Sequence, residues 1–155
     1  MSYNAGYKVM YNGYHYDTGC IDFPKEKWQE VQNRRIKENR YFAYIKDKDL
    51  KKYVGNVNYQ YDKDEDIYDC GILIEDKYRG KGYSKPALKL LIKEANKNNI
   101  KYLYDTFEKS REKALKLFLD VGFEIYEKTT ANKFNKEVEG VIIRIDTNKI
   151  TNNTD

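Results

Sequence analysis

The chain holds a single histidine, His15, among its 155 residues, with two cysteines, two prolines and one tryptophan. One histidine leaves little basis for a Ser-His-Asp or Cys-His hydrolase, or for a zinc site built on imidazoles. Cys20 and Cys70 stand far apart and form no Cys-x-x-Cys, so no structural disulfide is expected and a cytoplasmic setting is. Cys70 opens an apolar stretch and reads as a buried, inert thiol. No apolar run reaches membrane-spanning length and no secretory signal precedes the folded part, so no membrane partner is expected. Gly-Lys-Ser/Thr is missing altogether, which removes the nucleotide-binding P-loop. The dinucleotide fingerprint Gly-x-Gly-x-x-Gly fails because its last glycine would fall on Lys85.

Charge is plentiful but of both signs. Lys and Arg outnumber Asp and Glu by 29 to 25, a net charge of +4. The basic residues are scattered among acids and do not gather with aromatics on one face, so a nucleic-acid partner is not expected. A mild positive balance does suit an anionic small ligand. The length suits one domain with a real core, taken here as residues 1–146, followed by a polar Asn- and Thr-rich tail, 147–155.

The stretch from Cys70 to Ala95 organises the rest. Ile72, Leu73 and Ile74 end a strand, and a turn holding Gly80 and Gly82 follows. Leu88, Leu91, Ile92 and Ala95 then recur at i, i+3, i+4 and i+7, the period of a helix. Strand, glycine turn and helix start make an anion site, because unpaired N–H groups point outward there and the helix dipole favours negative charge. Glycines let a phosphate approach the backbone. Arg79, Lys81 and Lys85 add positive charge, and Pro86 confines the donors to Gly80–Lys85.

Elsewhere the pattern is mostly strand. Tyr7 to Tyr16 alternates around Asn12-Gly13 and suggests a hairpin. A helix is expected from Pro24 to about Glu38. Arg40–Lys46, Lys52–Tyr61 and Ile67–Ile74 read as an antiparallel meander. Ile100–Phe107 reads as a strand joined to the meander by the glycine turn and helix, a parallel crossover. Ser110 would cap a second helix with Ala114, Leu117, Phe118 and Val121 on one side and Gly122 as its stop. Phe123–Lys128 and Val141–Ile145 are further strands, with a polar loop, Thr129 to Gly140, between them.

Arg79-x-x-Gly82-x-Ser84 resembles the Arg/Gln-x-x-Gly-x-Gly/Ala signature of the GNAT acetyltransferase superfamily. Arg111-Glu-Lys-Ala114-Leu-Lys-Leu117-Phe118-Leu-Asp-Val-Gly122-Phe123 is similar to that family's second block, Asn-x-x-Ala-x-x-Leu-Tyr-x-x-x-Gly-Phe. The resemblance runs from about Tyr41 onward. It implies an α+β fold, a splayed mixed sheet flanked by helices, in which the strands at Ile67 and Ile100 part into a slot. It also implies acetyl-coenzyme A as cosubstrate. The pantetheine arm would pair with Ile72, Leu73 and Ile74, and the phosphates would sit on Arg79, Gly80, Lys81, Gly82, Tyr83, Ser84 and Lys85. Arg111 and Phe118 would complete the cofactor contacts.

An amine acceptor and direct acetyl transfer follow from the same resemblance, with homodimerisation left open. Tyr68 or Asp69 matches the family's carboxylate strand and would supply the base, ahead of Glu65 and Asp66. The backbone N–H near Leu73 would stabilise the oxyanion. Two departures bear on mechanism: Arg111 replaces an Asn, and Phe118 replaces a Tyr that could protonate the departing thiolate. Tyrosines of the middle strands and the loop 129–140 would shape the acceptor pocket. A non-catalytic acyl-coenzyme A sensor is the alternative.

Overall fold

The computed structural model describes residues 8–10, 20–22, 29–30, 33, 40–133 and 135–151. Strands β1 (Lys8–Met10) and β2 (Cys20–Asp22) pair antiparallel as a small sheet of their own, with Met10 opposite Cys20. The expected hairpin thus gains its partner strand beyond Tyr16, while its Asn12-Gly13 turn lies outside the described residues. Of the helix expected after Pro24, Gln29, Glu30 and Asn33 are helical and the remainder is outside the described residues.

The main sheet has six strands: β3 (Tyr41–Asp47), β4 (Lys52–Asp62), β5 (Ile67–Ile74), β6 (Tyr102–Glu108), β7 (Glu124–Lys133) and β8 (Lys136–Asp146). Their order is β3-β4-β5-β6-β8-β7. Only the β5–β6 pair is parallel. Helices α1 (Ser84–Lys97), α2 (Glu112–Val121) and α3 (Asn148–Thr151) accompany it among the described residues. The mixed, splayed sheet expected from the sequence is the one observed.

The meander is tied at its turns by aspartates. Asp47 Oδ1 accepts N–H bonds from Asp49 at 2.8 Å and Leu50 at 2.7 Å, and Asp62 Oδ1 does the same for Asp64 and Glu65. A short side-chain acceptor two and three residues upstream is the usual way for Asp to hold a tight turn.

One face of the sheet carries the core. Leu88, Leu91, Ile92 and Ala95 of α1 and Phe118 and Val121 of α2 are buried with Tyr59, Cys70, Leu103, Phe107, Ile143 and Ile145. Strand residues alternate between faces, so Asp69, Gly71 and Leu73 of β5, Tyr102, Tyr104 and Thr106 of β6, and Arg144 of β8 stand on the opposite face, which α1 and α2 leave open. Gly122 ends α2 at φ 127°, as its sequence position implied.

Four expectations are corrected. The stretch 129–140 is not a loop: it lengthens β7 and β8 into one hairpin, with Thr129 opposite Gly140 and Lys133 opposite Lys136. Ala131 opposite Val138 is its one apolar cross-strand pair, too little alternation to announce a ladder held by backbone pairing. Strand β6 starts at Tyr102, because Ile100 still belongs to the end of α1, its N–H bonded to the Ala95 carbonyl at 3.0 Å. Arg111, not Ser110, is the cap position of α2, and the Ser110 hydroxyl turns to Glu108 at 3.3 Å. The fold continues past Asp146. Thr147 is fully buried, donates to the Ile100 carbonyl at 2.6 Å, and Ile150 joins the core.

Candidate functional site

Strands β5 and β6 are in register at one position, Asp69 opposite Tyr104. Beyond it the two strands diverge, and no later residue of β5 is in register with β6, while β5 stays in register with β4 to Ile74. Glu75 donates its N–H to the Val54 carbonyl at 2.8 Å, and this sets the alternation of the ladder. Leu73 and Gly71 turn their main-chain groups toward β4, while Ile74 and Ile72 turn theirs to the open side. The N–H of Leu73, expected to face the slot, therefore faces β4. Those of Ile72 and Ile74 take its place.

Arg79 closes the end of the slot. Its Nε donates to the Ile74 carbonyl at 3.0 Å, joining the glycine turn to the splayed strand. Gly80 and Gly82 adopt φ of 74° and 85°, a region that L side chains rarely enter, and a β-carbon at either would meet nothing within 4 Å. Backbone amides from Gly80 to Lys85 have no acceptor among the described residues, and the first helical bond is Ala87 N–H to the Tyr83 carbonyl at 3.2 Å. Successive free amides beside open space at a helix start form an anion cradle. These residues fit a pyrophosphate.

The loop's side chains are partly committed elsewhere. Lys85 Nζ lies 3.3 Å from Asp120 of α2, and the Tyr83 hydroxyl donates to Asp47. Lys81 Nζ stands 5.9 Å from the Tyr78 ring centroid. The amides, more than the lysines, make the cradle.

Asp69 sits at the vertex where the strands part. Burial, and then the nearby Asp62 and Glu65 charges, push its carboxyl up to about 6. Tyr68, the alternative base, packs its ring against Tyr59 and Tyr61 on the core side. The open face thus receives Asp69 and not Tyr68.

A second carboxylate was missed. Asp105 occupies the core-facing row of β6 between Leu103 and Phe107. Burial raises its carboxyl to about 7; the Thr106 N–H bond opposes this, Asp69 adds to it and Arg111 offsets it. A lone acid in the alternation Leu-x-Asp-x-Phe was the signal. Cys70 lies buried between these acids with its thiol pushed up, in keeping with an inert role.

Arg111 places its guanidinium 5.2 Å from the Phe107 ring centroid at the start of α2. Phe118 is 2% exposed and wedged between Phe107 and Phe123, at centroid distances of 4.9 and 5.0 Å. It packs within the core between α2 and the sheet.

The sequence matches the Acetyltransferase (GNAT) family over residues 9–123. No curated protein matches it. Among solved structures, a spermidine N-acetyltransferase chimera of SpeG from Vibrio cholerae and hSSAT superposes with a TM-score of 0.72 at 18% identity. That match covers 84% of this chain and 81% of that one. A ribosomal-protein-alanine N-acetyltransferase from Brucella melitensis gives 0.69 at 16%, covering 81% and 80%. An N-acetyltransferase from Staphylococcus aureus gives 0.68 at 16%, covering 81% and 79%. At these identities the likeness is one of fold.

Proposed function

The chain belongs to the acetyltransferase (GNAT) family, and from that premise we propose that it transfers an acetyl group from acetyl-coenzyme A directly to a primary amine of a small molecule or peptide. The observation that carries this reading is the single β5–β6 pair beside a glycine turn whose amides have no acceptor among the described residues. Gly80 to Lys85 would hold the pyrophosphate. Main-chain groups of Ile72 and Ile74 would pair with the pantetheine arm as an added strand. The bound cosubstrate supplies an acyl group activated as a thioester.

The chain's own residues then do three things. The N–H groups of Ile72 and Ile74 offer donors to a carbonyl oxygen that gains charge. Asp69, raised to about 6, is ionised at neutral pH yet more basic than an ordinary carboxylate, and takes a proton from the attacking ammonium, directly or through water. Phe118 offers no proton, so coenzyme A would depart as the thiolate, a fair leaving group because its thiol is about as acidic as a free cysteine at ~8.5, and would take up a proton from water afterwards.

The buried, phenol-free position 118 also favours a second reading, a coenzyme A-binding sensor without turnover. Titration of the protein with coenzyme A, followed by a thiol-release assay over a panel of amines, separates the two. Binding with release supports the enzyme, and binding without release on any amine supports the sensor. Absence of binding removes both.

A further inference from the structure

The strand registers place four residues in one row across the sheet: Asp69 on β5, Tyr104 on β6, Arg144 on β8 and Glu124 on β7. Neighbouring strands lie about 4.8 Å apart, so the Asp69 and Arg144 backbones stand on the order of 10 Å apart with Tyr104 between them. All three stand on the open face.

Arg144 is held in place by tyrosines. Its Cζ lies 4.5 Å from the Tyr102 ring centroid and 4.4 Å from that of Tyr126. Nη1 donates to the Tyr104 hydroxyl at 3.3 Å. Tyr126 reaches this position because it is the extra residue of a bulge, where the β7–β8 register shifts between Ile125 and Glu127. A bulge re-aims the side chain it carries. Ring contacts at these distances engage the guanidinium's π-system and not its N–H donors, of which only Nη1 has a side-chain acceptor among the described residues.

No carboxylate claims that edge among the described residues. Glu124, directly opposite in register, instead pairs with Lys149 at 3.0 Å. The Asp69 carboxylate likewise has no hydrogen-bond or ion-pair partner among them. A fixed cation and a carboxylate, both unmatched, thus flank one aromatic ring beside the slot.

We propose that Arg144 recognises an anionic group on the acceptor, so that the substrate is an amine bearing a carboxylate or a phosphate. Its ammonium lies at Asp69 and its anion at Arg144. This rests on the acetyl-transfer reading and narrows its acceptor. The same cation repels a second ammonium, which disfavours polyamines.

The test is equilibrium binding, read by calorimetry on the intact chain with coenzyme A present. Probes are glycine and β-alanine, O-phosphoethanolamine, their neutral counterparts glycinamide, β-alaninamide and ethanolamine, and spermidine. An anion-bearing amine should bind at least about tenfold more tightly than its neutral counterpart, the worth of one charge-assisted hydrogen bond. The carboxylate and phosphate arms tell which anion is meant. Arg144→Gln should abolish that preference and leave coenzyme A affinity unchanged, with Arg144→Lys intermediate because it keeps the charge without the fork. Equal binding of charged and neutral amines overturns the proposal, as does tighter binding of spermidine, an unaffected Arg144→Gln variant, or no binding by either anion-bearing class. Loss of coenzyme A binding by the wild type would instead strike the acetyl-transfer reading itself.

Discussion

A β-carbon added at Gly55 would stand 2.0 Å from the carbonyl oxygen of Leu73. That oxygen belongs to the backbone of the strand that forms one wall of the slot. Relief therefore requires β4 or β5 to move, since no flexible side chain can yield. Gly55→Ala should lower stability by ~1–3 kcal/mol, the range for overpacking, and weaken coenzyme A binding by displacing Ile72 and Ile74. Urea denaturation and calorimetry measure the two effects. An unchanged affinity would mean that the arm does not pair with β5.

Gly82 makes a sharper probe of the cradle. At φ 85° any side chain is strained by about 1 kcal/mol, yet a β-carbon there meets no neighbour. Gly82→Glu should therefore fold and present its carboxylate where phosphates dock, lowering coenzyme A affinity at least about a hundredfold through repulsion and lost approach. Gly82→Ala, with the same backbone strain and no charge, should fall between. Equal losses for the two would assign the effect to backbone geometry alone.

Asp69 predicts a pH profile. A base works when deprotonated, so activity should rise with pH through about 6 and then level off until other groups intervene. Asp69→Asn should remove that limb and slow turnover by about 10²- to 10⁴-fold. Retention of the limb in the variant would hand the role to another group.

Much of this was legible in the sequence, for physical reasons that differ between elements. The glycine turn could be read because positive φ demands glycine, and α1 and α2 because Leu88, Leu91, Ile92 and Phe118, Val121 follow the helical period. Strand β5 was bounded correctly at Ile67 and Ile74 by the charges on either side. The β7–β8 hairpin was invisible beyond Lys128, since main-chain pairing leaves no mark on polar side chains. Asp105 and Arg144 escaped for a related reason. Each is one charged residue in an alternating strand, and only the register says which neighbours it meets. The slot-facing amides depend on a ladder phase that Glu75 and Val54 set in three dimensions.

Asp105 should make stability depend on pH. Its carboxyl is raised to about 7 in the fold against an ordinary value of 3.8, so between those values the native chain holds a proton that the unfolded chain has lost. Stability from this group is full below about pH 4 and declines as pH rises to about 7. Asp105→Asn removes the penalty of the half-buried charge. The full shift corresponds to about 4 kcal/mol, so with the carboxyl only half-buried the variant should be more stable by up to that amount at pH 8 and change little at pH 4. Urea midpoints at the two pH values decide it, and an equal shift at both would mean that packing, not ionisation, dominates.

The break beyond Asp69 and Tyr104 has a consequence for the order of events. A continuous sheet is a partition, and this one has an aperture where β5 leaves β6. If donor and acceptor meet through that opening, each arrives from its own side and neither blocks the other's doorway. Both must then be present together, and steady-state rates should give intersecting lines, not parallel ones. Coenzyme A released as product should compete with acetyl-coenzyme A and not with the amine. The geometry of one missing run of rungs would be written in the inhibition pattern.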